Sequence, residues 1–180
     1  DFNYYDKAID YKISSKEMIL DHPKLYKIDL SKINHDTNFI IKNSKTKILF
    51  HGRANPDVTF SFEGVNLASE NKNSRYDKFL LTGCITFSNV QFHNNSIQAK
   101  NFLNCEDSIN IINSRGSIKK IKIFNSLTDA LDIDNSNLNL NYVEIKNAKN
   151  DCIDLSFGNY NIKKIKTKTC NDKSVSVGER

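Results

Sequence analysis

The sequence predicts an all-β chain that winds into a right-handed parallel β-helix, with coils of about 22 residues. Similar residues recur every 22 positions between 102 and 180, in one column of Asp107, Asp129, Asp151 and Lys173 and another of Asn110, Asp132, Asp154 and Ser176. Apolar and polar residues alternate along these segments, which is typical of strands with one buried face. Two or three short strands fill such a repeat and leave no room for a crossover helix of about a dozen residues.

Individual columns predict how the coils stack. Two inward columns hold only branched apolar residues, namely Ile121, Val143 and Ile165, and Ile118, Leu140 and Ile162. One outward column alternates in charge sign through Lys122, Glu144 and Lys166, so neighbours about 4.8 Å apart attract each other. An earlier coil fits the register when it is 24 residues long, which places Gly83, Ile85 and Phe87 on Asp107, Ile109 and Ile111.

The N-terminal part is less regular, and we divide the single domain into a cap with irregular first coils (1–80) and regular coils (81–180). Ser14 to Glu17 has the spacing of a capping box, which predicts a helical turn near 15–21 and a partly helical cap. Alternating residues predict strands at 38–42, 47–51, 58–62 and 64–68, and the polar stretch 69–78 reads as a loop. We expect the regular coils to continue, or a partner chain to cover their C-terminal end.

Charge and hydropathy limit the classes of partner. The chain carries 26 Lys and Arg residues against 21 Asp and Glu residues, a net charge of +5. Six of the basic residues lie between Tyr160 and Arg180, a distribution that favours an acidic partner, although a solvated strand face explains it equally well. No aromatic residues are interleaved with these lysines along the chain, so nucleic acid is not expected. No apolar run reaches about 18 residues, so no transmembrane segment is expected.

Four segments carry a family resemblance: Cys105–Asn110, Thr128–Asp134, Asn150–Ser156 and Asp172–Glu179. They resemble the right-handed parallel β-helix (pectin-lyase-like) superfamily, which contains pectate lyases, mannuronan epimerases and many bacterial surface proteins. The resemblance covers residues 80–180 and points to a bacterial subgroup with no assigned reaction. The calcium-binding carboxylates and nearby arginine of pectate lyases are echoed only in part, and the Asp-Pro-His-Asp signature of the epimerases is absent.

The aspartate columns are the strongest candidate site in the sequence. Asp132 and Asp154 lie between inward residues and so point outward, which makes them, with Lys173, candidate catalytic residues. Stacked carboxylates raise one another's pKa or require a cation, so calcium is the one cofactor we consider. The candidate substrate-binding residues are Asp129, Asp134, Asp151, Asp172, Glu179 and Arg180.

A structural explanation of the same columns stays open. Asp129 and Asp151 each stand one residue ahead of a strand, where aspartates commonly bond to backbone N–H groups at a corner. Lys173 either neutralises Asp151 or serves as a base, and we favour the salt bridge. His51-Gly52-Arg53 follows an apolar strand and is placed to reach a groove.

The coil register also makes a prediction about cysteine. Cys84 and Cys152 share a column but stand three coils apart, roughly 14 Å, which is twice the limit of about 7 Å for a disulfide. Cys105 and Cys170 are about as far apart, and the remaining pairs are three or four positions out of register. We therefore expect all four cysteines to be reduced.

The expected function is a carbohydrate-associated module of a bacterial exported or surface (capsular) polysaccharide system, which binds an acidic glycan. Its long parallel faces present polar side chains at a fixed spacing, which suits a repeating polymer, and the glycan itself is what the family resemblance implies. Two alternatives remain. One is a polysaccharide lyase or epimerase that uses the Asp column, and the other is a structural spacer or assembly module.

Overall fold

The computed structural model describes residues 15–65, 76 and 79–178. These residues form a parallel β-solenoid of about seven turns, so the predicted architecture is confirmed. The strands are β1 (Glu17–Leu20), β2 (Leu25–Asp29), β3 (Thr37–Ile41), β4 (Lys47–Arg53), β5 (Thr59–Glu63), β6 (Gly83–Phe102), β7 (Asp107–Ile112), β8 (Arg115–Ser126), β9 (Asp129–Leu140), β10 (Val143–Ala148), β11 (Ile153–Ile162), β12 (Ile165–Cys170) and β13 (Ser176–Val177).

The pairing of these strands gives the solenoid three walls. Sheet I contains β2, β4, the start of β6, β7, the starts of β9 and β11, and β13. Sheet II contains the end of β4, the middle of β6, the start of β8, and the ends of β9 and β11. Sheet III contains β1, β3, β5, the end of β6, the rest of β8, β10 and β12.

The predicted columns are present in the pairing register. Ile121 pairs with Val143, and Val143 pairs with Ile165. The 24-residue step is also confirmed, because Gly83 pairs with Asp107. Inside the wall, the earlier coils stack aromatic rings, with Phe39 and Phe62 5.0 Å apart between centroids, and the later coils use Ile, Leu and Val. This continuous apolar core fixes which residues of every strand face outward.

Asparagine makes the sharp corners between the walls. Asn101, Asn125 and Asn147 stand at the corner between sheets III and I, all with φ between 60° and 64°. This left-handed conformation suits asparagine better than most residues. The Nδ2 group of Asn125 donates to Oδ1 of Asn101 at 2.8 Å, and Asn147 donates to Asn125 at 2.9 Å. The corner is therefore held by a ladder of side-chain amides along the axis.

The N-terminal prediction needs two corrections. Residues 17–20 form strand β1 rather than a helical turn, because Met18 and Leu20 point into the core and the strand pairs with β3. Helix among the described residues is limited to one 3₁₀ turn, Leu30–Lys32. The first coils stack in parallel like the later ones, with Tyr26 paired to Ile48 at a step of 22 positions and Thr37 paired to Phe60 at a step of 23.

One long connection produced the apparent irregularity. Ile48 pairs with Ile85, 37 positions later, because the segment between β5 and β6 lengthens that coil. The strands predicted near 38–42, 47–51 and 58–62 are confirmed as β3, β4 and β5. The predicted strand 64–68 falls partly, and the predicted loop 69–78 mostly, outside the described residues.

The cysteine prediction is wrong, because the chain contains two disulfides. Cys84 is bonded to Cys105, with Cα atoms 5.5 Å apart, and Cys152 is bonded to Cys170, with Cα atoms 5.4 Å apart. Our register argument treated the coils as a flat ladder, in which an offset of four positions separates two residues. A coil closes on itself, so a residue 18 positions later has nearly returned to its starting point and faces the first residue across the corner between sheets III and I.

The coils between the two disulfides show the same facing positions without cysteine. Ser108 lies one coil from Cys84 in its column, and its hydroxyl bonds to the hydroxyl of Ser126, 18 positions later, at 2.8 Å. Ser126 in turn pairs with Ala148, and Ala148 pairs with Cys170. Small residues therefore face each other across this corner along the solenoid, and the separation of 18 was the available signal for the second disulfide.

The last coil leaves apolar inward positions accessible. Ile165 is 39% exposed and Val177 is 70% exposed, whereas Val143, one coil earlier than Ile165, is fully buried. Among the described residues, β12 pairs only with β10, and β13 pairs only with β11. The expected cover from further chain or a partner stays a prediction.

Candidate functional site

Sheet I brings the predicted acidic residues together. Its outward column runs Thr86, Asn110, Asp132, Asp154 and Ser176. A second column along the corner holds Asp107, Asp129, Asp151 and Lys173. Both columns follow from the 22-residue register, so sequence reasoning found these residues correctly as neighbours.

The corner aspartates bond to the backbone of the next coil, as the structural explanation expects. Asp129 Oδ1 accepts from the N–H of Asp151 at 2.9 Å and from Asn150 Nδ2 at 2.8 Å. Asp151 Oδ1 accepts from the N–H of Lys173 at 2.8 Å. Each carboxylate therefore caps the start of the coil that follows.

Lys173 forms the salt bridge to Asp151 that we favoured over a role as a base. Its Nζ lies 3.8 Å from Asp151 Oδ2 and 2.5 Å from Asp172 Oδ2. The hydrogen bond to Asp172 and the charge of Asp151 raise the pKa of Lys173. A lysine whose charged form is favoured in this way is a poor general base at neutral pH. The candidates Glu179 and Arg180 lie outside the described residues.

Asp132 is the most perturbed carboxyl group of sheet I. It is only 7% exposed, and its Oδ2 accepts from Asn110 Nδ2 at 2.9 Å. Burial raises the pKa of Asp132 to about 8, and the carboxylates of Asp107, Asp134 and Asp154 add to the shift. The group therefore holds a proton at neutral pH, as a general acid must. Its small exposed area restricts the access of a polymer.

The neighbouring cleft does not open onto Asp132. A cleft of about 760 Å³ lies at the last coil and is lined by Leu155, Phe157, Tyr160 and Val177 among others. Burial, together with the charges of Asp134 and Asp132, raises the pKa of Tyr160, whose hydroxyl donates to the carbonyl of Ser156 at 2.8 Å. The cleft thus has an apolar and aromatic lining beside the acidic column.

Calcium binding on sheet I stays a prediction. In the part of the chain that the structure describes, no group of three or more His, Cys, Asp or Glu side chains is arranged to hold a metal ion. Oδ1 of Asp129 and Oδ1 of Asp151 already accept hydrogen bonds from backbone and amide donors. The roles proposed for the residues of sheet I do not involve a calcium ion.

Sheet III carries a second candidate site that sequence reasoning missed. From β6 to β12 its outward positions hold seven lysines and one acid, Glu144, and the lysines are Lys100, Lys120, Lys122, Lys146, Lys164, Lys166 and Lys168. The same surface presents two partly exposed aromatic rings, those of Phe124 and Tyr142. We call this surface the basic–aromatic face.

Its aromatic rings are surrounded by ammonium groups. Lys120 comes one coil before Tyr142 and Lys164 one coil after it, and each Nζ lies 5.8 Å from the centroid of the tyrosine ring. Lys146 Nζ lies 5.5 Å from the ring centroid of Phe124. These distances are within the range of cation–π attraction, which holds the lysines around the rings.

Glu144 organises the middle of this face. Its carboxylate, 8% exposed, lies 3.1 Å from Lys122 Nζ, 3.3 Å from Lys166 Nζ and 4.0 Å from Lys146 Nζ. The hydrogen bond from Lys122 is the main reason that the pKa of Glu144 is lowered. One buried carboxylate thus fixes three ammonium groups, and the face keeps a strong positive excess.

A shallow groove of about 290 Å³ extends the face towards the earlier coils, with Gln98, Lys100 and Phe124 in its lining. The signal for this face was present in the repeat. Lys120, Tyr142 and Lys164 are spaced 22 positions apart, but our reading looked for aromatic residues between lysines along the chain rather than one coil away.

No family model matches this chain, and comparisons with curated proteins and with solved structures return no match. The described part of the chain contains no helix with the length and apolarity needed to cross a membrane.

Proposed function

We propose that this protein is a binding module for an acidic glycan, and that the glycan lies along the basic–aromatic face of sheet III. The observation that carries the proposal is the position of Tyr142, an outward ring with Lys120 and Lys164 one coil away on either side. A sugar ring can pack its C–H face on the tyrosine while the lysines neutralise acidic groups next to it.

The spacing of the face suits a repeating polymer. Neighbouring coils are about 4.8 Å apart, so Lys120 and Lys164 lie about 10 Å from each other along the axis. The next outward column repeats this arrangement with Lys122 and Lys166 around Glu144. An acidic polymer aligned with the solenoid axis meets one positive charge after another without bending.

The aspartate columns of sheet I are a poor surface for an acidic polymer. Their carboxylates would repel it, and those of Asp129 and Asp151 already accept hydrogen bonds from the next coil. We therefore place the glycan on sheet III and give the columns a structural role. The proposed site therefore moves away from sheet I, where Asp132, Asp154 and Lys173 were the candidate catalytic residues.

Two further features support the wider context. The pectin-lyase-like resemblance favours a polysaccharide ligand and a bacterial surface or capsular system, as an analogy of fold. The disulfides Cys84–Cys105 and Cys152–Cys170 are typical of proteins that mature in an oxidising compartment. Both features agree with an exported module.

The proposal is tested by titrating the whole chain with polygalacturonate and, as the uncharged match, with its methyl ester. We expect binding to the acidic polymer alone, with an affinity that falls as salt is added. Tyr142→Ala should weaken binding about tenfold, and Tyr142→Phe, which keeps the ring, should bind like wild type.

Lys45→Gln is the control for charge, since it removes one exposed lysine from the turn between β3 and β4, several coils before Tyr142. A loss equal to that of Lys120→Gln, which removes the same charge beside Tyr142, would show that only net charge matters and would overturn the proposed face. Tighter binding to single-stranded oligothymidylate than to the polyuronate would replace the glycan with nucleic acid. Conversion of the polymer by the wild-type chain, abolished in Asp132→Asn, would establish the lyase or epimerase alternative, and no binding at all would favour the spacer.

A further inference from the structure

Sheet II carries two arginines in one straight column. Arg53 on β4 pairs with Gln91 on β6, and Gln91 pairs with Arg115 on β8. The two arginines are therefore two coils apart, about 10 Å along the axis. Both are exposed, and both line a groove of about 330 Å³ together with Gln91.

The backbone makes this groove. Gly52 has a φ of 85° and stands at a register shift between β4 and β6. A Cβ atom at Gly52 would lie 2.7 Å from Asp29 Oδ1, so the position must stay without a side chain. On the other side, Asn89 and Asn113 turn the corner with φ values of 55° and 49°. The groove follows from the bend itself.

The positive charges of the groove lack an acidic partner among the residues that the structure describes. No carboxylate is part of the lining, and within the described ranges neither guanidinium group forms an ion pair. The later coils differ, because Asn159 Nδ2 donates to Asn137 Oδ1 in the same column at 2.8 Å. In the later coils, the side-chain amides of this column hydrogen-bond to one another. In the earlier coils, the same column holds two guanidinium groups that cannot pair with each other.

We propose that this groove is a second binding site, for a ligand with two anionic groups about 10 Å apart that are held by Arg53 and Arg115. Guanidinium groups bind carboxylates and sulfates in a planar, two-pronged geometry. Gln91 lies between them and offers an amide to the polar centre of the ligand. The site is on a different wall from the basic–aromatic face, and it does not depend on glycan binding there.

The test uses the Lys120→Gln/Lys164→Gln background, which removes the two lysines beside Tyr142, and the chain labelled with ¹⁵N. Galacturonate, trigalacturonate and sulfate are titrated separately, and the side-chain amide of Gln91 is followed by NMR. We expect trigalacturonate to bind at least about tenfold more tightly than galacturonate or sulfate. Either Arg53→Gln or Arg115→Gln should remove that advantage, and the two together should cost little more.

Arg53→Lys and Arg115→Lys keep the charge and lose the fork, so they should recover only part of the affinity. Lys45→Gln should leave trigalacturonate binding unchanged. Equal affinity for sulfate and trigalacturonate, or equal losses in Lys45→Gln and the arginine variants, would overturn the two-arginine site. Losses in Tyr142→Ala alone, with no shift at Gln91, would assign all binding to sheet III and would also overturn it.

Discussion

Sheets I and III are walls of the same solenoid, and they treat charge in opposite ways. On sheet I the carboxylates of successive coils accept hydrogen bonds from one another's backbone, and Asp132 is buried with its proton retained at neutral pH. On sheet III the lysines stay partly or fully exposed around Tyr142 and Glu144. A column of like charges is therefore structural when its members hydrogen-bond to the backbone of the neighbouring coil. It is available to a ligand when its charged groups remain exposed.

Two large effects on stability are expected, and the first concerns the corner that joins the two sheets. Replacing Cys152 and Cys170 together by Ser should lower the free energy of unfolding by about 3 kcal/mol, because a disulfide spanning 18 positions restricts the unfolded chain. Denaturant unfolding measures this loss. Ser108 and Ser126 form the same facing pair one coil away from Ala130 and Ala148, so serine fits the position. Four free thiols in the denatured, unreduced wild type would contradict the disulfide assignment.

The second expected effect concerns Asp132 and shows that sheet I contributes to stability rather than to binding. Because the folded-state pKa of Asp132 is raised from 3.8 to about 8, the folded chain binds a proton that the unfolded chain has lost between these values. Stability should therefore fall as pH rises from about 4 to 8. Asp132→Asn should remove this slope and gain on the order of 5 kcal/mol at pH 8, because each pH unit between the two pKa values costs about 1.4 kcal/mol. Urea unfolding across this range is the measurement.

The same variant should bind polygalacturonate like wild type. If Asp132→Asn instead lost affinity while its stability rose as expected, the acidic column would belong to the ligand site. The contrast between the two sheets would then be wrong.

A smaller effect is expected when the cations of sheet III are removed. The double change Lys120→Gln and Lys164→Gln should weaken binding to the acidic polymer about tenfold and reduce its salt dependence, since two charges beside Tyr142 are lost. Unfolding free energy should stay within about 0.5 kcal/mol, as for most surface changes. Calorimetry at two salt concentrations measures both the affinity and its salt dependence. An affinity unchanged from wild type would contradict the prediction.

The smallest expected effect concerns Glu144, the acidic residue in the middle of sheet III. Glu144 has a lowered pKa, so its stabilising contribution is present above the ordinary value of 4.5 and disappears as pH falls through the lowered value. Glu144→Gln should therefore cost less than about 1 kcal/mol at neutral pH and nothing in acid. It should also strengthen binding to the acidic polymer, because Lys122 and Lys166 lose their carboxylate partner. Weaker binding would show that Glu144 orders the lysines for the ligand.

The fold could be predicted because the repeat fixes it. A 22-residue period with inward Ile121, Val143 and Ile165 permits one coil per repeat, and the corner Asn125 and Asn147 confirm the register. The β1 strand was missed because the Ser14–Glu17 capping spacing is a local signal, and pairing with β3 overrides it. The strands of the early coils were predicted, but their period was not recognised, because the 37-residue step between Ile48 and Ile85 interrupts it.

The site was predicted less well because its geometry lies across coils. The columns of sheet I were read correctly, but sequence spacing does not show that Asp132 is buried or that Asp151 caps its neighbour. The Cys152–Cys170 contact required a closed cross-section rather than a flat register. Tyr142 became a candidate only when its neighbours were taken from the coils before and after it.

Mapping the bound polymer on the whole chain is the most direct test of glycan binding on sheet III. With ¹⁵N-labelled protein and a short oligogalacturonate, the account predicts that backbone amide shifts concentrate on β8, β10 and β12 around Lys120, Tyr142 and Lys164, while Asp132 and Asp154 on sheet I stay unchanged. Amide shifts concentrated at Asp132 and Asp154, with no shifts on sheet III, would contradict the account.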